Sequence, residues 1–398
     1  MQNDFRKDSI INSPIGTVLR VSTVPFFVRT QLKKQINDLL KSGINVVIIC
    51  SPGLKISEFN HYGRLRIVDI NICRNINIVS DIYALLQLLR FLFSERISII
   101  HSTTPKAGLL ASIAGVIAGV PCRLHTFTGQ PWSVGNGFAT FFSKMSDKVI
   151  GSLSNFTFAD SKGQRSFLID KKIINPSKIT VLGDGSLSGI DLERFNDSNY
   201  SESTKRRVRE ALKIPSNAFL FLFLGRITPS KGVREILSAF LILTKHHHLA
   251  HFLFVGPIEE GYLEEFNSQT ASIGNIHIVG YTDIPEQYIS IAHVLCLPSY
   301  REGFGTSVIE AAAMGIPAIG TRIYGLEDSI IDGVTGILVP PQDECALLEA
   351  LKYMIKNPSK RLAFSEAAKK RAIELYDSNK VSERLIFEYE RWSDSGQF

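Results

Sequence analysis

Short apolar runs ending in a glycine or a polar turn alternate with helix-length amphipathic segments along almost the whole chain, and they do so in two series. Residues 16–22 (GTVLRVS) read as a strand, 27–41 as an amphipathic helix and 44–50 (INVVIIC) as the next strand, with Gly43 as the helix stop. A helix over 79–94, a strand over 97–101, a helix after Pro105 and a strand over 123–127 continue the alternation. Strand 156–159, helix 162–170 and strand 178–182 complete the first series. Residues 183–199 (GDGSLSGIDLERFNDSN) lack periodicity and read as an interdomain connection, followed by a helix over 201–212. The second series begins at Ala218 with the strand AFLFLFLG. Helix 233–246, strand 252–255, helix 259–271 and strand 276–279 follow, then a short helix near Pro285 and strands at 294–297, 317–320 and 336–339. Helices over 343–356, 360–376 and 381–392 close the chain.

Strands apolar along their whole length, with helices between them, require parallel sheets covered on both faces. The predicted fold class is therefore α/β, with two Rossmann-like doubly wound domains facing each other across a cleft. The expected divisions are a first domain over 1–195, a linker over 196–217, a second domain over 218–375 and a C-terminal helix over 376–398 that packs back toward the first domain. With 398 residues and 44% apolar content the chain can bury two such cores. The five cysteines, Cys50, Cys73, Cys122, Cys296 and Cys345, are scattered without a CxxC pair, which reads as reduced thiols in a cytosolic protein. Asp4, Arg6, Lys7 and Asp8 interrupt the start, so no secretory signal is expected. The most apolar segment, 107–120 (AGLLASIAGVIAGV), is shorter than the roughly 20 residues of a membrane span and reads as a buried crossover helix.

Charge is uneven. Residues 1–200 carry 23 Lys and Arg against 14 Asp and Glu, whereas 201–398 carry 21 against 24. A basic first half suits an anionic partner. No stripe of Arg and Lys interleaved with aromatics argues for nucleic acid, and an anionic membrane surface fits better. Residues 138–145 (FATFFSKM) with Lys144 and Lys148, and Arg29, Lys33 and Lys34 on the first helix, can seat in a membrane interface; the alternative is a core-facing Phe stripe beneath solvated lysines. His246–His248 are consecutive, point in different directions, and read as a helix end rather than a metal site.

Ligands of parallel sheets gather beyond the C-terminal strand ends. In the first series these are residues 23–27, 101–106 and 125–132. His125 and His101 are there either as hydrogen-bonded structural residues or as functional ones, and Trp132 either stacks on a sugar or packs the core. In the second series Gly225, Arg226 and Lys231 form the pattern GRxxxxKG at a strand end, where a planar fork and a point charge suit a diphosphate. Residues 294–315 (VLCLPSYREGFGTSVIEAAAMG) read as strand, loop and helix. The free N–H groups of Gly305, Thr306 and Ser307 favour an anion, and Glu302 and Glu310 flank them as holders of hydroxyls. Together these point to a nucleotide sugar.

These residues resemble the retaining glycosyltransferases of family 4, which have the GT-B fold. The resemblance covers nearly the whole chain. It rests on Glu302-Gly303-Phe304-Gly305 with Glu310 eight residues on, on GRxxxxK, on His125, and on Thr335-Gly336 in DGVTGILVPPQD. It implies that Glu302 contacts the donor sugar, Glu310 the ribose, and Arg226 and Lys231 the diphosphate. His125 would reach the sugar from the other domain, the base would lie by Gly280 and Tyr281, and Pro25, Arg29, His101, Lys106 and Trp132 would be the candidates for the acceptor side. It further implies front-face transfer with retention and no obligatory metal or other cofactor; in keeping with this, no DxD occurs. The segments TPKAGLLASIAGVIAGVP, HTFTGQPW, GDGSLSGIDLERF and TRIYGLEDSIIDG look like those of bacterial capsule, O-antigen and lipid-linked glycan transferases. The expected partners are then a nucleoside-diphosphate sugar, with UDP favoured, a polyprenyl-diphosphate-linked saccharide, and the inner face of the cytoplasmic membrane, with no nucleic acid. Where many members carry a Gly-Gly loop after the first strand, this chain has Thr23-Val24-Pro25-Phe26. Two other readings are a GT-B nucleotide-sugar epimerase, which would isomerise donor without acceptor, and a non-catalytic two-domain binding protein.

Overall fold

A computed structural model describes residues 15–60, 62–73, 77–135, 137–271 and 273–394; the charged opening residues Asp4 to Asp8 lie outside them. The first sheet contains β1 (Thr17–Val21), β2 (Asn45–Cys50), β3 (Leu65–Asp69), β4 (Ile99–Thr103), β5 (Cys122–Phe127), β6 (Phe156–Ala159) and β7 (Ile179–Val181). Their spatial order is β3-β2-β1-β4-β5-β6-β7, all parallel. The second contains β8 (Phe219–Leu224), β9 (Ala250–Val255), β10 (Ile276–Val279), β11 (Val294–Leu297), β12 (Ala318–Thr321) and β13 (Gly336–Val339), in the order β10-β9-β8-β11-β12-β13 and again all parallel. This is the GT-B architecture. Each sheet reverses its winding once, between β1 and β4 and between β8 and β11, and such a switch point opens a crevice at the C-terminal strand ends.

Edge strand β3 escapes the sequence pattern because only its first residue is buried, and Arg66 and Asp69 interrupt the apolar run. The first helix also departs from expectation. It starts at Pro25, where a missing N–H costs nothing, widens into a π turn over Val28–Leu32, and resumes as Lys33–Lys41. Arg29, Thr30 and Gln31, all within the wide turn, border the cleft.

Residues 196–217 are not a linker. Phe195, Val208 and Ile214 are buried in the second core, and the Arg209 guanidinium donates to the carbonyls of Pro215, Ala218 and Ile291. The polar composition of 183–199 reflects tight turns rather than separation. The chain changes domain near Ile190, whose N–H donates to the Tyr376 carbonyl (2.7 Å) and whose carbonyl accepts from Ser378 N–H (2.9 Å). The outgoing and returning strands are thus paired. Gly189, at φ +67°, lies so close to them that a Cβ there would meet Ser378 Cα at 2.7 Å.

Helix Ser378–Asp394 crosses back to the first domain, burying Val381, Leu385 and Tyr389 in its core beside Leu39 and Val46. Helix Pro105–Ile117 is a crossover, buried through Ala107, Leu110, Ala111 and Ala114. Among the described residues no helix is long and apolar enough to cross a membrane. All five cysteines are free.

Candidate functional site

At the switch point of the second sheet, β8 runs into Gly225 and Arg226, and β11 into the loop that holds Glu302. A single turn, Pro229–Lys231, then leads to Gly232, which caps helix Val233–Thr244 at φ +71°. A Cβ on Gly232 would stand 2.1 Å from the Pro298 carbonyl oxygen. Only glycine lets this turn lie against the end of β11, and that approach delivers Lys231 to Glu302. The Lys231 ammonium donates to Glu302 Oε1, which also accepts from Ser299 Oγ at 2.8 Å. Arg226 lies 3.5 Å from Glu259, which is itself held by Thr228 at 2.7 Å. Gly305, at φ +84°, opens helix Thr306–Ala313, whose first residues face the same cavity. Two cations and a helix N-terminus therefore converge where a diphosphate would lie.

The cavity measures about 390 Å³, within the range of small-molecule sites. Glu310 borders it without a hydrogen-bonding partner among the described residues. Burial, opposed by Arg194 and reinforced by Glu286, pushes its carboxyl up to about 8. Arg194 grips Glu286 through its Nε and Nη2, at 2.9 and 2.7 Å. Tyr281 also lines the cavity, in an edge-on pair with Phe26 of the first domain at 5.4 Å. Gly280, next to Tyr281 just past β10, is exposed and outside this lining.

The first domain closes the cavity with Phe26, Arg29, Thr128 and Asp160. Arg29 is held by Glu58 at 2.5 and 2.9 Å. Asp160, the first residue after β6, has its N–H fixed on Gln164 Oε1 (2.7 Å), and burial raises its carboxyl to about 8. A Cβ on Gly303 would meet Asp160 Oδ2 at 2.6 Å and the Thr128 carbonyl carbon at 2.9 Å, so the two domains touch here through a glycine. Thr306 donates to Gln31 Oε1 (3.3 Å), Tyr324 to Gln130 Oε1 (3.2 Å) and Gly163 N–H to Asp328 (2.9 Å), all across the domain boundary.

The first-domain expectations need correction. His125 does not reach the cleft: β5 continues to Phe127, and the ring turns inward against Gly108, 2.9 Å from Ser102 Oγ. Burial lowers its pKa to about 3, leaving a neutral structural imidazole. Thr128, three residues on, occupies the strand end at the cleft. His101 is likewise internal, 2.6 Å from Tyr389 OH and 2.7 Å from Thr126 Oγ1. Trp132 is buried, donating to Asp147 (2.7 Å) and stacked on Phe167 at 5.2 Å, so it packs the core. Lys106 joins Asp81 at 2.8 Å, away from the cavity lining, and Pro25 only starts the helix whose next residue, Phe26, lines it. Of the acceptor-side residues, Arg29 alone borders the cavity. Thr128 falls inside the strand-end range 125–132 without being singled out there, and Asp160 escaped notice although it follows strand 156–159, where the strand-end rule points. Arg194 and Glu286 lie in a turn and a short helix and carry no local signal.

The raised carboxyls tie stability to pH. Asp160 and Glu310 keep protons in the folded chain that the unfolded chain releases near pH 4, so the unliganded protein loses stability as pH rises from about 5 through 8. Asp160→Asn and Glu310→Gln mimic the protonated forms. Their melting temperatures should match wild type near pH 5 and exceed it by several degrees above pH 8; a gap independent of pH would refute the assignment.

Residues 204–371 match the model of the family described as glycosyl transferases group 1. The chain is 29% identical over 363 residues to the capsular polysaccharide biosynthesis glycosyltransferase CapM of Staphylococcus aureus, covering 90% of this chain and 91% of that protein. It is 25% identical over 286 residues to the UDP-Gal:alpha-D-GlcNAc-diphosphoundecaprenol alpha-1,3-galactosyltransferase of Escherichia coli, covering 70% and 72%. Its fold is similar to that of Anabaena Alr3699/HepE, solved with UDP and glucose, at a TM-score of 0.77 and 16% identity over 94% of this chain and 99% of that one. Over residues 204–371 the chain is thus similar to the group 1 glycosyl transferases, and its two parallel sheets have the GT-B fold.

Proposed function

We propose that the chain transfers a hexose or N-acetylhexosamine, with retention, from a nucleoside-diphosphate sugar to a polyprenyl-diphosphate-linked saccharide during surface polysaccharide synthesis. The observation that carries this reading is the meeting of Arg226, Lys231, Glu302 and the Thr306 helix start at the second switch point, with Glu310 farther along the same cavity. Arg226 and Lys231 would neutralise the departing diphosphate as charge develops on it. Glu302 would hold a sugar hydroxyl, and Glu310, which has no hydrogen-bonding partner among the described residues, the ribose. Tyr281 would border the base. The chemistry needs no obligatory metal or other cofactor. UDP is the favoured carrier, in keeping with the UDP complex of the Anabaena protein and the UDP-Gal donor of the Escherichia coli enzyme. The capsule role of the Staphylococcus protein and the lipid-linked acceptor of the Escherichia coli enzyme support the acceptor class and a place on the inner face of the cytoplasmic membrane.

A panel of UDP- and GDP-sugars screened by thermal shift, followed by transfer to a lipid-diphosphate saccharide with NMR of the new anomeric centre, tests this. A stabilising UDP-sugar and a product of retained configuration, formed equally in EDTA, are expected. Isomerisation of donor in the absence of acceptor, or inversion, would overturn it.

A further inference from the structure

Three helices lie side by side on one face of the first sheet, Pro105–Ile117 packing against both Ile78–Ser94 and Phe138–Leu153. Helix Ile78–Ser94 already fills the core with Ala84, Leu88, Phe91 and Leu92, yet its opposite side is also apolar. Ile78 is 71% exposed, Val79 80%, and Ile82, Tyr83, Leu86 and Phe93 are each more than half exposed. Helix Phe138–Leu153 exposes Phe138 (77%), Phe141, Phe142 and Met145. A water-facing helix with two apolar sides needs something to cover the second.

The belt has a definite place. Each of these helices follows the C-terminal end of a strand, namely β3, β4 and β5, so their first turns stand at the sheet edge that borders the cleft. Ile78, Val79, Ile82, Phe138, Phe141 and Phe142 all lie within the first five residues of their helices. The Lys106 ammonium ties two of the helix starts together through Asp81 at 2.8 Å. Its charge is also defined. Arg90, Lys106, Lys144 and Lys148 accompany the belt, Asp81 is held by Lys106, and Asp147 is buried beneath Trp132. Two copies pressed together through this face would oppose their own cations, whereas anionic headgroups complement them.

We propose that this belt is a membrane-docking surface, seating in the interface of an anionic bilayer with the mouth of the cleft held at headgroup level. It rests on the reading of the acceptor as lipid-linked, because a cleft at that height receives a saccharide whose lipid stays in the bilayer.

Co-sedimentation of the full chain with vesicles of one part phosphatidylglycerol to three parts phosphatidylcholine tests it. Wild type should pellet at low salt, and the doubly substituted Val79→Glu/Phe138→Glu chain should bind at least about tenfold more weakly. Both positions face water, so the variant should keep the wild-type melting temperature and its stabilisation by UDP-sugar. Equal sedimentation of the variant, no sedimentation of wild type, or a wild-type dimer in solution that the substitutions dissociate would each overturn the proposal. The donor arm separates the two readings: vesicle binding without any nucleotide-sugar stabilisation overturns the transferase reading and leaves docking intact, whereas the reverse result overturns docking alone.

Discussion

Replacing Lys231 by alanine is expected to lower the rate of sugar transfer on the order of 100- to 1000-fold, the usual loss when one preorganised donor to a developing negative charge is removed. Lys231 is the cation held deepest between the two strand ends of the switch point, and its ammonium is engaged by Glu302. The pair has a consequence for how the loss divides. In Lys231→Ala the Glu302 carboxylate keeps only Ser299 as a hydrogen-bonding partner among the described residues, so the cavity gains an uncompensated negative charge where the diphosphate is proposed to enter. Part of the defect is then repulsion, and it should appear as a raised donor KM as well as a lower kcat. Glu302→Gln in the same chain removes that charge while keeping a side chain that can bond a sugar hydroxyl. The double variant should therefore recover donor affinity but not kcat, and the two single losses should not multiply. Arg234→Ala, which breaks an exposed pair with Glu265 on the outer surface, serves as the control and should leave transfer unchanged. Initial rates across a donor titration measure all four chains, and near-normal transfer by Lys231→Ala would remove the diphosphate site from this position.

Legibility of the site in the sequence follows from where each signal is stored. On the second domain the chemistry is local. Gly225 to Lys231 and Glu302 to Glu310 are contiguous runs with glycines at the turns, so spacing and residue type were enough to bring them to one cavity. The first domain stores its contribution differently. His125 and Trp132 are the residue types that draw attention, yet one sits two residues before the last residue of β5 and the other beneath a helix that its indole N–H anchors. The groups that reach the cleft there, Thr128 and Asp160, are of ordinary type and are functional candidates only by position. Register along a strand decides which side chain meets the cleft, and an error of a few residues exchanges a core imidazole for a cleft hydroxyl. The same limit explains β3, whose mixed residues pair only because β2 offers an edge, and residues 196–217, whose polar character hid Val208 and Ile214. Long-range pairing is absent from any window of sequence.

Gly303→Ala should cost about 100-fold in kcat with little change in donor affinity or melting temperature. What a methyl group on this glycine would strike first is the other domain, at 2.6 Å from Asp160 Oδ2, 2.9 Å from the Thr128 carbonyl carbon and 3.0 Å from its oxygen. The carboxyl can swing aside, but the Thr128 backbone follows directly on β5 and cannot. Relief must come from parting the domains about the paired strands at Ile190 and Tyr376–Ser378, which moves Thr128, Asp160 and Phe26 away from Glu302 and Lys231. A displacement near 1 Å at reacting groups is enough for a loss of roughly this size. The residues proposed to hold the diphosphate and ribose, Arg226, Lys231 and Glu310, all lie on the second domain and are untouched, so stabilisation by UDP-sugar should persist. Asp160→Gly added to Gly303→Ala should fail to rescue kcat, because the clash with backbone remains. A Gly303→Ala chain with wild-type kcat would show that transfer proceeds with the domains apart, and a chain that also loses donor binding would show that the loop shape, rather than closure, is what the glycine preserves.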